Sequence, residues 1–574
     1  MSTSSTLISA NTLKFAIPVG VGIISLAYLS AKLFGNRNIH TRYQDEQTIP
    51  KVAIRKGDST HDTEYHENQD AFLLKCEQTY GPVFELQILN QTLTIVSGGT
   101  LAREVHVNDH FSFRDSVEHM TGYRAFVYSL IKSYTEGENI LHETTVHYTM
   151  IRDGISTKLT SFTPDIVRKM SSLLDANIGP ASSLEKGKLV EWPLLALQQV
   201  VSGTMVEVFM GPEIAKSTLV TETFIACTTD FGLMLGQSNE THSTAKVLRI
   251  KAQHGVLNVM HKHLQVLVKA AEPVIEERHR QEQWAAENGV EYERPKDMMQ
   301  MMLDRQEDFG LVDLEDICGH LILLVLSSMH TTLEAGMNVL FYLAAYPDTI
   351  KPIYEEIMEL LDQQSNDRQE QRKSYREGLA FGGKEFSFVN TDLDPAGDRE
   401  ITEHVIKKAT KLDSFLKEMF RFRMERLSAS HMAREDIMLS TGHVVRKGEK
   451  VLVNMRSVHQ DKVHGDDLTE FRPWRFLGKN PGAAKASKDY MPFGIGKFTC
   501  PGRFLAVHDL KILAALLVTK YSDLVVEDKQ KLPGMLASPL NFGSLTGMYF
   551  TSRYNIINKN DTSSSTPVSA PKEE

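Results

Sequence analysis

The chain contains 574 residues, of which 41% are hydrophobic and 24% are charged, an ordinary composition for a globular protein with a large core. Its net charge is −10 and its basic residues are scattered, which gives no support to nucleic-acid binding. The four cysteines form no CxxC pair, so we expect neither a disulfide framework nor a structural zinc site. The length permits roughly two to four average domains, or one large fold.

The N-terminal region contains an almost wholly apolar segment, Leu13 to Phe34. A run of about 20 apolar residues spans a bilayer, and Lys32 and Arg37 at its C-terminal end predict that the body lies in the cytosol. We therefore expect residues 1–12 in the lumen, a single-pass transmembrane anchor at 13–34 and a polar linker at 35–60. A cleaved signal peptide is the alternative.

From residue 61 to 556 the composition is globular. Alternation of polar and apolar residues predicts a strand at Thr92–Val96. Helical periodicity runs from about Leu311 to Tyr346, where Pro347 stops it. This helix is apolar on nearly all sides, which predicts a buried central helix rather than a surface one.

Two later segments are polar. Residues 362–399 are rich in Gln, Asp, Arg and Gly, and we expect a surface insertion there. Residues 557–574 have the composition of a disordered tail. We find no internal repeats.

The stretch "PFGIGKFTCPGRFLA", Pro492 to Ala506, places a cysteine among glycines and aromatic residues. Proline favours the first position of a helix, so Pro501 predicts that Cys500 is the N-cap of the helix that follows. The helix dipole and free amides there favour a thiolate. Gly494 and Gly496 permit a tight turn and close approach to a flat group. Alone, one cysteine near a helix start is more often structural.

The order Phe493, Gly496, Cys500, Gly502 fits Phe-x-x-Gly-x-x-x-Cys-x-Gly and resembles the heme-binding loop of the cytochrome P-450 family. In that family the cysteine thiolate is the axial ligand of the heme iron. The resemblance implies that Cys500 binds the iron of heme b, that Phe493 packs beside the sulfur, and that Gly494 and Gly496 admit the heme edge. It also implies one large, mainly α-helical domain with a small β-sheet region, over residues 61–556.

Further motifs follow the family order. "KLDSFLKEMFRFR" carries Glu418-x-x-Arg421, and an i,i+3 spacing on a helix lets the two residues pair. "FRPWRF" carries Arg475. By resemblance, these three residues form a buried structural network on the heme side of the fold. Taken alone, the Glu-x-x-Arg spacing is a common surface pair.

The middle of the central helix reads "SSMHTT", Ser327 to Thr332. By resemblance, Thr331 takes the place of the threonine that helps deliver protons during oxygen activation. His330 stands where the family usually has an acid. A histidine there could relay a proton at neutral pH or hold a hydrogen bond, and the sequence leaves both roles open.

One position departs from the family pattern. Phe498 stands two residues before the cysteine, where an arginine or histidine usually pairs with a heme propionate. Lys497 is adjacent to it. Tyr148 and Arg152 occupy the place of the family's Trp-x-x-x-Arg, and His431 lies where an arginine is common. These four residues are the predicted propionate partners, because charged donors bind carboxylates well.

The resemblance implies a membrane-bound monooxygenase of the endoplasmic reticulum that acts on a lipophilic small molecule. Electrons would come from NADPH–cytochrome P-450 reductase, with cytochrome b5 as a further donor, because we find no convincing nucleotide-binding motif. Lys497 and Lys511 are candidates for the docking face. The pocket would draw on 112–135, Leu324, Ser328, 426–430 and 541–547, whose mixed apolar and hydroxyl side chains favour a steroid or terpenoid. A fatty-acid hydroxylase is an alternative.

Two other readings remain open. A thiolate-heme isomerase or dehydratase would need no reductase, but Thr331 argues against it. A membrane-tethered heme-binding protein without turnover belongs to another class. Oxygen consumption that depends on NADPH separates the first from a monooxygenase, and product analysis separates the second.

Overall fold

The computed structural model describes residues 46–88, 91–121, 130–133, 146–180, 187–239, 259–380, 400–423, 426–479, 482–537, 539–540, 543 and 545–553. The predicted lumenal segment, the anchor and the tail lie outside these ranges, as do residues 35–45 of the predicted linker.

Helices make up most of the described chain. They are α1 (Asp62–Glu67), α2 (Gln69–Tyr80), α3 (Gly99–Val107), α4 (Phe113–Thr121), α5 (Val146–Thr149), α6 (Leu159–Asn177), α7 (Pro193–Met210), α8 (Thr218–Asn239), α9 (Val259–Asn288), α10 (Met298–Asp304), α11 (Leu314–Ala345), α12 (Ile350–Ala380), α13 (Glu403–Lys408), α14 (Thr410–Arg423), α15 (Met455–His459), α16 (Arg503–Lys520) and α17 (Leu532–Ala537). A π-helix, Met150–Ser156, continues α5.

The strands are short. They are β1 (Val83–Ile88), β2 (Gln91–Ser97), β3 (Phe111–Ser112), β4 (Lys188–Val190), β5 (Leu427–Ala433), β6 (Ile437–Met438), β7 (Val444–Val445), β8 (Lys450–Asn454), β9 (Tyr521–Val526) and β10 (Met548–Ser552).

In the described part of the chain these strands form three sheets. One has the order β1-β2-β8-β5-β3, in which only β2 and β8 run parallel. The others are β4-β10-β9 and the pair β6-β7. The predicted strand Thr92–Val96 lies inside β2, where Val96 pairs with Val83 of β1. The architecture is mainly α with small sheets, as predicted.

The central helix is α11, within the predicted bounds. It begins after Asp313, whose side chain accepts a hydrogen bond from the Asp316 backbone amide at 2.9 Å, and it ends before Pro347. It packs against α7, α8, α9 and α16. Nearly all of its side chains are buried or half-buried, so α11 forms the interior of the domain.

Among the described residues, α7 and α11 have the length and apolar composition of a membrane span. Their most apolar windows are 83% and 67% buried inside the protein, respectively. This degree of burial is typical of the core helices of a folded domain, which read as hydrophobic all round.

The first part of the polar segment predicted as a surface insertion is helical. Helix α12 continues to Ala380, so residues 362–380 are helical, and residues 381–399 lie outside the described part of the chain. The segment is rich in Gln, Glu, Arg and Lys, which are good helix formers. Between residues 362 and 371 most side chains are exposed to solvent, with Gln364 and Ser365 as buried exceptions.

Candidate functional site

The cysteine loop, residues 491–502, directly precedes α16. Gly494 and Gly496 have φ values of +72° and +78°, in the region that other residues rarely adopt. A Cβ atom at Gly496 would lie 3.1 Å from the backbone oxygen of His106 in α3. The amide of Cys500 donates a hydrogen bond to the Phe493 carbonyl at 2.9 Å, which closes the loop. Both glycines are therefore required by the turn.

Cys500 differs from the other cysteines because its side chain is exposed, whereas Cys76, Cys227 and Cys318 are buried. The protein around the thiol nevertheless desolvates it, and this raises the pKa of Cys500 above its ordinary value. The amides of Gly502 and Arg503 oppose the shift without cancelling it. A solvent-accessible thiol with a desolvated environment is typical of a group that lines a recess.

The predicted N-cap role of Cys500 is wrong. Helix α16 begins at Arg503 and its N-cap is Gly502, because Pro501 and Gly502 form a turn before the helix starts. The amides at the start of the helix nevertheless favour the thiolate, because those of Gly502 and Arg503 lower the pKa of Cys500 against the effect of burial.

The centre of α11 carries an exposed patch on an otherwise buried helix. Ser327, His330 and Thr331 are exposed, and their i, i+3, i+4 spacing places them on one face. The Thr331 hydroxyl lies 3.2 Å from the carbonyl oxygens of both Ser327 and Ser328, to which it can donate. Helix α11 packs against α16, and Cys500 lies three residues before α16 begins.

The structure brings Glu418, Arg421 and Arg475 together. Arg421 forms two hydrogen bonds with the Glu418 carboxylate, at 2.7 and 2.9 Å. Arg475 Nε lies 3.0 and 3.1 Å from the same two oxygens. The same two guanidinium groups also donate to backbone carbonyls, those of His459, Leu468 and Glu470 from Arg421 and those of His464, Asp467 and Glu470 from Arg475. Glu418 is fully buried, so every acceptor site on its carboxylate matters.

A family model described as cytochrome P-450 matches residues 59–375 and 394–546. The chain belongs to the cytochrome P-450 family. Proteins of this family bind heme b through a cysteine thiolate. Residues 376–393, between the two matched segments, fall inside the polar segment 362–399 and include the C-terminal end of α12.

Curated relatives agree with the family assignment. Cytochrome P-450 monooxygenase 151 of Postia placenta is 24% identical over 79% of this chain and 82% of its own length. Cytochrome P-450 monooxygenase AN1598 of Emericella nidulans is 26% identical over 70% of this chain and 69% of its own. This cytochrome P-450 is accordingly a heme-thiolate monooxygenase, an oxidoreductase. Members of the family generally need a reductase partner and a lipophilic substrate.

Most of the predicted propionate partners are engaged within the protein. Arg152 forms a bidentate pair with Asp153, at 2.6 and 2.8 Å, and its guanidinium lies 5.3 Å from the Tyr148 ring. Lys497 is paired with Asp109 on the surface. These placements leave the propionate roles of Arg152, Tyr148 and Lys497 as predictions.

Phe498, the residue that departs from the family pattern, belongs to an aromatic cluster. The Phe498 ring centroid lies 6.1 Å from that of Phe113 and 6.0 Å from that of His431. His431 is buried and its ring also contacts His106, at 5.1 Å. His431 therefore lies beside the cysteine loop, and its propionate role stays a prediction. The Phe493 ring packs against Phe420, at 5.3 Å.

Sequence reasoning missed Arg114. This residue follows Phe113, its side chain is only 14% exposed, and its Nε makes no hydrogen bond within the described chain. The Asp115 carboxylate is 3.9 Å from this Nε. A half-buried guanidinium whose Nε makes no hydrogen bond within the described chain, next in sequence to Phe113 of the Phe498 cluster, suits a carboxylate ligand and so fits a heme propionate. One arginine in a polar stretch gives no such signal in the sequence.

Lys511 does not lie on a docking face as predicted. It is buried, and its Nζ lies 2.6 Å from the Asp413 carboxylate and 3.4 Å from the Ile406 carbonyl. The helix that carries it, α16, is enclosed by the domain, so a basic residue on it has to find its partners inside.

The Glu418 network predicts a large difference between two neighbouring arginines. Arg475→Ala should cost about 3–5 kcal/mol of unfolding free energy, because it leaves a buried carboxylate underpaired. Arg472→Ala should cost less than about 1 kcal/mol, because its side chain is 52% exposed and pairs with surface acids. Urea unfolding followed by circular dichroism measures both. Equal losses would contradict a buried, fully paired network.

Proposed function

We propose that this protein hydroxylates a lipophilic small molecule, a steroid or terpenoid, with Cys500 as the axial ligand of its heme. The observation that carries the proposal is the cysteine loop, in which Gly494 and Gly496 hold an exposed thiol in a chain that matches the cytochrome P-450 family. When bound, the heme supplies the oxygen-activating chemistry. The protein supplies binding, orientation and protons.

Several residues would hold the heme. Cys500 would hold the iron through its sulfur as the axial ligand. The amides of Gly502 and Arg503 would then donate to the thiolate. Arg114 and His431 would face the propionates in place of the missing cation at Phe498, with Arg152 as a further partner.

Replacement of Cys500 by serine tests the axial ligand. We expect Cys500→Ser to lose the strongly red-shifted absorption band of the ferrous–CO complex, since that shift requires thiolate ligation. Cys76→Ala, a buried cysteine far from the loop in sequence, is the control and should retain the band. An unchanged band in Cys500→Ser would refute the assignment.

Loss of the Arg114 side chain tests the propionate contact. Arg114→Ala should release heme several-fold faster to an excess of a heme-scavenging apoprotein, because a charge-assisted hydrogen bond is removed. Arg434→Ala is the matched control, since Arg434 contacts the same segment through Asp115 and Ser112 but is half-exposed. If both variants release heme at the same altered rate, the effect comes from the segment's folding and not from Arg114.

Thr331 and His330 are the proposed proton-handling residues. Hydroxylation of a substrate RH consumes O2, two electrons and two protons and yields ROH and water. The Thr331 hydroxyl lies on the exposed face of α11, anchored by the Ser327 and Ser328 carbonyls. From there it can hold a water molecule or pass on a hydrogen bond. His330 either relays a proton to it or fixes its surroundings through a hydrogen bond.

Thr331→Ala should keep its heme but divert reducing equivalents to hydrogen peroxide, because proton delivery becomes disordered. The ratio of peroxide formed to NADPH consumed, in the presence of reductase and substrate, measures this directly. Thr331→Ser retains the hydroxyl and should stay close to the wild type. Full coupling in the alanine variant would contradict the relay role.

The substrate class rests on the residues expected around the pocket. Leu324 is buried and Ser328 is half-buried on α11, within two turns of Thr331, which suits an apolar ligand with a polar handle. A fatty acid is the second candidate. A spectral binding screen with steroids, diterpenes and fatty acids distinguishes them. Turnover of a peroxide without NADPH would instead favour an isomerase or dehydratase, and binding without turnover a heme-binding protein.

The membrane arrangement is also a proposal. Residues 13–34 would anchor the protein in the endoplasmic reticulum membrane, with the catalytic domain in the cytosol, where NADPH–cytochrome P-450 reductase and cytochrome b5 would supply electrons. The apolar run and the basic residues after it support this orientation. Removal of residues 1–34 should move the protein from the floating membrane fraction toward the soluble one in a density gradient; unchanged flotation would refute the anchor.

A further inference from the structure

Two histidine side chains, His459 and His464, contact the backbone where the cysteine loop begins. The Met491 backbone amide donates a hydrogen bond to His459 Nε2 at 3.1 Å. His464 Nε2 lies 2.7 Å from the Asp489 carbonyl oxygen, and because a carbonyl can only accept, this nitrogen is the donor. The two imidazole rings thus hold the chain at two positions that are two residues apart, just before the turn that leads to the cysteine.

The same two histidines are held by the two arginines that bind the buried Glu418 carboxylate. Arg421 donates to the His459 carbonyl at 3.1 Å, and Arg475 donates to the His464 carbonyl at 3.0 Å. His459 is the last residue of α15, and His464 ends a 3-10 helix of three residues. The last carbonyls of a helix have no partner within it, so the guanidinium groups satisfy oxygens that these short helices leave over.

Two further backbone hydrogen bonds lead from this contact to the residue that carries the sulfur. The Gly494 amide donates to the Met491 carbonyl at 3.0 Å, and the Cys500 amide donates to the Phe493 carbonyl at 2.9 Å. Met491 is therefore fixed on both sides, at its amide by His459 and at its carbonyl by Gly494. A shift of Met491 would move the turn on which the position of Cys500 depends.

His459 can accept a hydrogen bond at Nε2 only as a neutral ring. The residue is 1% exposed, and burial lowers the pKa of His459 to about 3, with the positive charge of Arg421 acting in the same direction. The neutral ring carries its proton on Nδ1, which makes no hydrogen bond within the described part of the chain. The ring thus leaves a buried donor unmet while Nε2 binds the Met491 amide, which packing alone would not require.

Aromatic contacts fix the orientation of both imidazole rings. The Tyr490 ring stacks on the His459 ring, with a centroid distance of 5.7 Å and an angle of 28° between the planes. The Tyr490 hydroxyl donates to the Ala483 carbonyl at 3.0 Å. The Phe476 ring lies 5.6 Å from that of His464 and 6.2 Å from that of Tyr490. Each ring therefore presents its Nε2 to the backbone in a defined direction.

We propose that His459 and His464 are positioning residues of the heme site, which join the Glu418 network to the cysteine loop and so hold Cys500 where it can serve as the axial ligand. This inference rests on the proposed ligation of heme by Cys500. Neither histidine takes part in a bond change of the reaction. Each acts on the ligand through the loop, as groups behind a metal ligand commonly do.

Replacement of His459 by leucine tests the inference in the full chain loaded with heme. Leucine fills much of the space of the ring but accepts no hydrogen bond. We compare the red-shifted ferrous–CO band, which requires thiolate ligation, with the band of heme that has lost the thiolate. The ratio of the two should fall about five-fold, the change in an equilibrium that loss of one ordinary hydrogen bond produces. His459→Gln places an amide oxygen near the position of Nε2 and should restore most of the ratio.

His464→Leu is the second variant. It should lower the same ratio, because the Asp489 carbonyl loses its donor. His464→Gln should restore the ratio, since the glutamine amide can donate in place of the imidazole. His464 is only half-buried, so this variant disturbs the interior less and keeps the test decisive if His459→Leu folds poorly.

His61→Leu is the matched control. His61 is 2% exposed, and its Nδ1 accepts a hydrogen bond from the Gln87 amide of β1 at 2.9 Å, so it makes the same kind of contact at another place. This variant should lower the free energy of unfolding but keep the band ratio of the wild type. An unchanged ratio in both His459→Leu and His464→Leu, or an equal fall in His61→Leu, would overturn the inference. Failure of the proposed ligation would look different, because the wild type itself would then show no thiolate band.

Discussion

The fold around the cysteine loop depends on one buried carboxylate. Glu418 on α14 accepts hydrogen bonds from the guanidinium groups of Arg421 and Arg475 and from the backbone amide of Arg472 at 2.9 Å. The arginines in turn bind the carbonyls of the chain between residues 459 and 470. A helix is thereby joined to the irregular segment that leads to the cysteine loop. This segment has little regular secondary structure, so hydrogen bonds from charged side chains hold it in place where backbone hydrogen bonds hold helices and sheets.

The candidate site consists of a few exposed polar groups that are carried by, or lie next to, buried helices. Helix α11 lies in the core, yet three polar residues near its middle remain accessible. Cys500 is likewise accessible, although it precedes a helix whose side chains are almost all buried. A large apolar core thus positions a few groups that it does not cover.

The molecule treats its charged groups in three ways. Glu418 is paired with two arginines, Arg114 is half-buried with an Nε that makes no hydrogen bond in the described chain, and Asp509 is buried without a hydrogen bond there. Removing one partner from the first arrangement would destabilise the fold. A buried polar atom without a hydrogen bond costs stability unless something else compensates. This contrast separates structural charges from candidates for function.

The sequence by itself determined the elements that rest on local pattern. The alternation at 92–96 and the periodicity of α11 depend only on neighbouring residues, and the loop glycines are dictated by a backbone that other residues cannot follow. Cys500 was found because its spacing from those glycines is specific. The tertiary structure alone decided where α16 begins, that α12 continues to Ala380, and that Lys511 is buried. It alone revealed Arg114 and Asp509, because an unmet hydrogen-bonding need exists only once distant segments have packed around a side chain and excluded water from it.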